Sequence, residues 1–135
     1  MTDQSAVYLD SSALVRWVVR EPGWSELADY LRDRPIRVAS RIADVEVRRA
    51  VARVPGLDAE RRLTRVLARV TKVELDAELA TVAGRLAPAG LRTLDAIHLV
   101  SAMAIGGQLE ALVTYDRRLA DAAATLGIST IAPGA

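Results

Sequence analysis

The sequence predicts an α/β sandwich around a mostly parallel sheet, and three observations carry that expectation. Short apolar runs of strand type alternate with segments of helical periodicity along the chain. Alternation of this kind sets strands side by side in parallel, each joined to the next through a helix. At 135 residues, 51% of them apolar, the chain has the size of a single domain spanning 1–135. With no Cys and no Phe, the core must be packed from Leu, Val, Ile and Ala, without disulfides or thiolate-bound metal.

Residues 6–9 form an apolar run that ends at Asp10 and reads as a buried strand. Ser11 and Ser12 stand where an N-cap is expected, ahead of a helix over 13–19. Pro22 and Gly23 interrupt the chain before a second short helix over 25–31. Arg34 and Pro35 turn it into a strand over 36–39, and Ser40 is placed to cap a helix over 41–54 that Pro55 and Gly56 stop. Asp58 is placed to cap a helix running through 70, with Leu63, Val66, Leu67 and Val70 on one face. A brief strand over 73–75 follows, then a helix capped by Asp76 that carries Leu79, Val82, Ala83 and Leu86. After the Pro88-Ala89-Gly90 loop, Thr93 is placed to cap a helix over 94–105, closed by Gly106 and Gly107. A strand over 111–115, a helix over 117–126 ended by Gly127, and a last strand over 129–131 complete the alternation.

Most of the acidic residues have ordinary explanations as caps or solvated pairs; four do not. Asp10 and Asp116 each follow an apolar strand at its carboxyl end. In open parallel sheets that edge is where ligands bind, because loops and helix N-termini converge there. Glu46 is singled out by its helical angle. At about 100° per residue from Ile42, Glu46 falls near 40°, inside the arc filled by Ile42, Ala50, Ala43, Val54, Val47 and Val51. Asp44 and Arg48 fall outside that arc. A carboxylate on the apolar side has to be paired, protonated or bound to a metal, since burying it alone costs several kcal/mol. An ion pair with Arg49 or Arg53 is the ordinary alternative. Asp95 opens a helix that is apolar nearly all round, Leu-Asp-Ala-Ile-His-Leu-Val-Ser-Ala-Met-Ala-Ile. The helix dipole favours an anion in that first turn, as a simple cap or as something more.

If the four carboxylates converge, their repulsion calls for a cation. A site of hard oxygen donors, in a chain with no Cys and one His, suits Mg²⁺ or Mn²⁺ rather than zinc. Such an ion activates water and steadies the attacking and leaving oxygens of a phosphodiester displacement, so no side-chain nucleophile is needed. His98, one turn after Asp95, is expected mainly as a core residue. Ser11 and Ser12 are expected mainly as caps, with one of them, Ser11 in the first place, also positioned to orient Asp10 or a metal-bound water. Thr114, two residues before Asp116, is placed to support the same site.

Net charge is +1, which by itself does not mark a nucleic-acid binder. The basic residues are uneven, however, with 17 Arg against the single Lys72. Arg41, Arg48, Arg49 and Arg53, with Arg61, Arg62, Arg65 and Arg69, give two Arg-rich helices. Of these, Arg48, Arg49 and Arg53 are the candidates to hold a sugar-phosphate backbone beside the acidic residues. No secretion leader and no apolar run of about 18 residues is evident, so a cytoplasmic protein with no membrane partner is expected.

Four stretches also resemble the PIN-domain ribonucleases, and among them the VapC toxins of bacterial toxin–antitoxin pairs. They are Tyr-Leu-Asp-Ser-Ser-Ala-Leu-Val at 8–15, Ala-Asp-Val-Glu-Val-Arg-Arg-Ala at 43–50, Leu-Arg-Thr-Leu-Asp-Ala-Ile-His-Leu at 91–99 and Leu-Val-Thr-Tyr-Asp-Arg-Arg-Leu at 112–119. The resemblance implies a PIN-like three-layer α/β/α sandwich and an endoribonuclease dependent on Mg²⁺, with Mn²⁺ as a substitute. It places the acidic quartet on Asp10, Glu46, Asp95 and Asp116. It further implies cleavage of tRNA or ribosomal RNA to arrest translation, a VapB-like antitoxin that covers the site, and a homodimer. Two other readings compete. A phosphoacceptor signalling domain also sets an Asp at a strand end, but it needs a Lys after a late strand, and Lys72 lies elsewhere. A catalytically inactive interaction module would lack part of the quartet.

Overall fold

A computed structural model describes residues 5–135. Its centre is a five-stranded sheet in the order β3-β2-β1-β4-β5, with every neighbouring pair parallel. The strands are β1 (Ala6–Leu9), β2 (Arg37–Ser40), β3 (Thr71–Val73), β4 (Leu109–Val113) and β5 (Thr130–Ile131). The helices are α1 (Ser11–Val19), α2 (Trp24–Arg32), α3 (Arg41–Val51), α4 (Asp58–Leu67), α5 (Ala77–Gly84), α6 (Thr93–Met103) and α7 (Arg117–Thr125).

The three layers follow from strand alternation. In β1, Val7 and Leu9 face one side and join Leu14, Val18, Leu27, Val47 and Leu63 of α1–α4 in one core. Ala6 and Tyr8 face the other side and pack with Leu99 and Ala102 of α6 and Leu119 and Ala123 of α7. All four β1 residues are buried, as a central strand covered on both faces must be. The expected α/β/α sandwich is therefore the observed one. Helix α6 is buried continuously from Asp95 to Ala102, matching its apolar circumference.

Several boundaries and caps differ from the sequence reading. Helix α1 starts at Ser11, and Asp10 rather than Ser11 or Ser12 is its cap, accepting from the Ala13 N–H. An Asp at a strand's end with extended backbone already satisfies the cap requirement, which frees both serines for other partners. Asp58 lies inside the first turn of α4 and does not cap it. Thr93 is likewise the first residue of α6, and Arg92 occupies its cap position without a side-chain cap. Ser40 and Asp76 do cap α3 and α5 as expected. Strand β4 ends two residues early, at Val113, leaving Thr114 and Asp116 in the turn that enters α7.

Candidate active site

The chain runs outward from β1 to β2 and β3, then returns to place β4 on the opposite side of β1. That reversal opens a crevice at the carboxyl ends of β1 and β4, where α/β sheets bind ligands. Asp10 and Asp116 follow those two strands. A cleft of about 410 Å³ lies there, lined by Asp10, Ser11, Ser12, Glu46, Asp95, His98 and Asp116, with Arg92 at its edge. All four carboxylates singled out in the sequence thus line one cavity.

Asp10 is the most enclosed of them, at 3% exposure. Its Oδ1 accepts from Ser12 Oγ at 2.7 Å and the Ala13 N–H at 2.9 Å, and its Oδ2 from Thr114 Oγ1 at 2.6 Å. Burial pushes its carboxyl above the usual range, against the opposing pull of those hydrogen bonds. Among the described residues no basic side chain pairs with it. Thr114 ties the two strand ends together, donating to Asp10 while accepting from the Asp116 N–H at 3.1 Å. Asp116 caps α7, its Oδ1 accepting from the Arg118 N–H at 2.9 Å.

Asp95, 5% exposed in the first turn of α6, is held by Arg92 through contacts of 2.9 and 3.2 Å. The same guanidinium reaches Asp116 Oδ2 at 3.2 Å and so stands between the two carboxylates. Glu46 does not take the ion pair with Arg49 or Arg53 that its position allowed. It turns inward and accepts from Ser11 Oγ and, at 3.1 Å, from His98 Nε2. Burial works against its charge, but the hydrogen bonds from His98 and Ser11 prevail and hold its carboxyl below the usual range. Ser11 therefore serves Glu46, and it is Ser12 that orients Asp10. His98 is a buried core residue, as expected, that also touches the cleft.

Among the described residues, no three carboxylate or imidazole groups are drawn close enough to hold a metal ion as they stand. The donor set nonetheless fits a hard divalent cation: four carboxylates, one of them buried without a positive partner, and no soft donor. Arg92 supplies positive charge at the Asp95–Asp116 side. The sequence reading passed over it, although its place three residues before Asp95 is the spacing of a helical ion pair.

The basic residues separate into two groups. Arg41 is engaged by Glu74 and Asp44, and Arg62 donates through Nε to the Val18 carbonyl. Arg48, Arg49 and Arg53 are exposed at the end of α3 and just beyond it. Lys72 donates to the Leu67 carbonyl, away from the cleft, which leaves a phosphoacceptor site without its lysine.

This fold, with acidic residues gathered at the β1–β4 crevice, defines a class. The PIN domain family model matches residues 7–125, and the chain belongs to that family. Within it the chain is of the VapC ribonuclease type. It is 47% identical over 129 residues to Ribonuclease VapC46 of Mycobacterium tuberculosis, covering 96% of this chain and 98% of that one. It is 42% identical over 134 residues to Ribonuclease VapC35 of the same species, covering 95% and 97%. Among solved structures it superposes on VapBC2 of Rickettsia felis bound to a promoter DNA fragment, with a TM-score of 0.70, 14% identity and coverage of 95% and 98%. It also matches VapC20 of M. tuberculosis, described as a Sarcin-Ricin loop cleaving toxin, with a TM-score of 0.70, 16% identity and coverage of 94% and 99%. Among the described residues, no helix is long and apolar enough to cross a membrane.

Proposed function

We propose that the chain is a Mg²⁺-dependent endoribonuclease toxin, with Mn²⁺ able to substitute, and that Asp10, Glu46, Asp95 and Asp116 form its catalytic and metal-binding set. The observation that carries this reading is Asp10: a buried carboxylate that, among the described residues, has no basic partner, on a cleft shared with three more carboxylates. The family and its ribonuclease relatives support RNA as the substrate.

Asp10 and Asp116, fixed by Thr114 and by their own helix N-termini, provide rigid oxygen ligands at the crevice. Asp95 and Glu46 face them from α6 and α3. When bound, the divalent ion activates water and neutralises charge on the phosphate under attack. The protein's own work is to hold these oxygens in place and to move Arg92 off Asp95 and Asp116. Once released, that guanidinium is placed to meet the RNA backbone at the cleft edge, with Arg48, Arg49 and Arg53 extending the contact. The substrate we propose is structured RNA of the tRNA or ribosomal class, whose cleavage arrests translation. A cytoplasmic toxin of this kind is held in check by a VapB-like antitoxin and acts as a homodimer.

Purified protein should cut structured RNA with Mg²⁺ or Mn²⁺, leave 5′-phosphate ends, and stop in EDTA. Asp95→Asn should abolish cleavage with the circular-dichroism spectrum unchanged. Cleavage that persists in EDTA, or survives Asp95→Asn, would sink the reading.

A further inference from the structure

Behind the cleft runs a buried chain of hydrogen bonds that metal binding alone does not require. The Ser40 N–H donates to Tyr8 Oη at 3.1 Å, Tyr8 Oη meets His98 Nδ1 at 2.7 Å, and His98 Nε2 meets Glu46 Oε1 at 3.1 Å. Tyr8 is fully buried and His98 is 4% exposed, so solvent does not reach the Tyr8 end of this chain of hydrogen bonds. The types of the groups set the direction. An ionised carboxylate only accepts, so Nε2 must carry the hydrogen. In a neutral ring Nδ1 is then a bare acceptor, and Tyr8, whose oxygen already accepts from Ser40, turns its own proton to it.

We propose that His98 is a positioning residue: Tyr8 locks its ring with the hydrogen on Nε2, and that hydrogen holds the Glu46 carboxylate at the cleft. Strand alternation brings this about, since Tyr8 points to the α6 side of β1 while the next residue but one, Asp10, enters the cleft. Ser11 Oγ, 3.3 Å from His98 Nε2, shares the task by donating to the same Glu46 oxygen. A glutamate held from two sides meets a cation without first being ordered, and removing such an outer support typically weakens metal affinity ten- to a hundredfold. The inference rests on Glu46 serving the cation site.

His98 is the only histidine of the chain, so ¹⁵N-histidine labelling gives one ring to observe. In metal-free protein, long-range ¹⁵N–¹H spectra of the neutral ring should show its hydrogen on Nε2 and not on Nδ1. The opposite tautomer or an averaged pair would overturn the lock, as would an unchanged spectrum in Tyr8→Phe, where a mixture is expected. Mn²⁺ titration by calorimetry then tests the consequence. His98→Leu should weaken binding about tenfold, whereas His98→Gln, whose amide nitrogen replaces Nε2–H, should stay within about threefold of wild type. A packing role alone favours Leu in this apolar helix, so Leu binding as tightly as Gln would overturn the proposal. Should the Leu variant fail to fold, Gln weakening binding tenfold or more would do so. Glu46→Gln separates the two readings: if it leaves Mn²⁺ affinity intact, the cation role of Glu46 fails, and the positioning role falls with it even if the tautomer is as described.

Discussion

Asp10→Asn is expected to stabilise the metal-free protein while abolishing cleavage. The charge it removes sits on a side chain 3% exposed. Taking a carboxylate out of water costs on the order of 5 kcal/mol after relaxation. Hydrogen bonds to a charge return about 1 kcal/mol more than neutral ones, and Asp10 accepts three, from Ser12, Ala13 and Thr114. About 2 kcal/mol of opposition to folding is then left over. Asn retains the oxygen that serves Ser12 and Ala13 and can turn its amide toward Thr114 Oγ1. In a domain of this size about 1 kcal/mol moves Tm by about 4 °C, so the variant should melt about 8 °C higher at pH 7 in chelator. The pH dependence has a definite sign. Burial raises the folded-state pKa of Asp10, so the folded wild type binds that proton more tightly than the unfolded chain does. The wild-type deficit is therefore full above the folded pKa, shrinks as pH falls through it, and closes near the unfolded value of about 3.9. Saturating Mg²⁺ should stabilise the wild type and leave the variant unmoved. Calorimetric melting across pH, with and without Mg²⁺, is the assay. A variant that melts below wild type at pH 7 in chelator, or an advantage that widens on acidification, refutes the reasoning.

Thr114→Val should cost about 2 kcal/mol in urea unfolding, because a buried hydroxyl that serves both Asp10 and the Asp116 N–H is lost. In the Asp10→Asn background the cost should fall by about 1 kcal/mol, and strict additivity would count against the coupling. Arg92→Ala should tighten Mn²⁺ binding about two- to threefold by calorimetry, the modest size following from a half-exposed guanidinium whose ion pairs solvent screens. Weaker binding in that variant would mean that Arg92 does not compete with the cation. Replacing Arg48, Arg49 and Arg53 together by Ser, in the Asp95→Asn background, should lower the slope of log affinity for single-stranded RNA against log salt by about 2. An unchanged slope would remove these residues from the RNA path.

The layered fold was legible because β1 and β4 are short apolar runs and the crossovers patterned helices, whereas β3, Thr71–Val73, carries a lysine and lies two residues before the expected 73–75. Residues 6–9 bury side chains on both faces, as a central parallel strand covered by helices requires. The caps were less legible for a physical reason. Ser11, Ser12 and Thr93 are good N-cap residues by type, yet the backbone turns into helix two residues early after Asp10 and one residue early after Arg92. A residue that both ends a strand and opens a helix cannot be told from its neighbours by propensity alone. Arg92 was missed because its partners are one local residue and one distant residue, Asp95 and Asp116, and the second depends on where β4 returns.

The strand order explains why separate sequence signals end in one place. Had β4 returned beyond β3, Asp116 would lie at the far edge of the sheet from Asp10, and Thr114 could not have reached it. Because β4 pairs with β1 instead, the strand-end Asp residues become neighbours across the one point where the chain reverses direction. The same reversal carries α6 over the Tyr8 face of β1, so a tyrosine and a histidine 90 residues apart meet within hydrogen-bonding distance. Helical angle could say that Glu46 points inward. It could not say that the group waiting there would be an imidazole rather than one of the arginines of its own helix. That choice belongs to the topology, which brings His98 to the inward side of α3 and leaves Arg48 and Arg49 exposed. Glu46 thereby keeps its charge at the cleft instead of spending it on a surface ion pair.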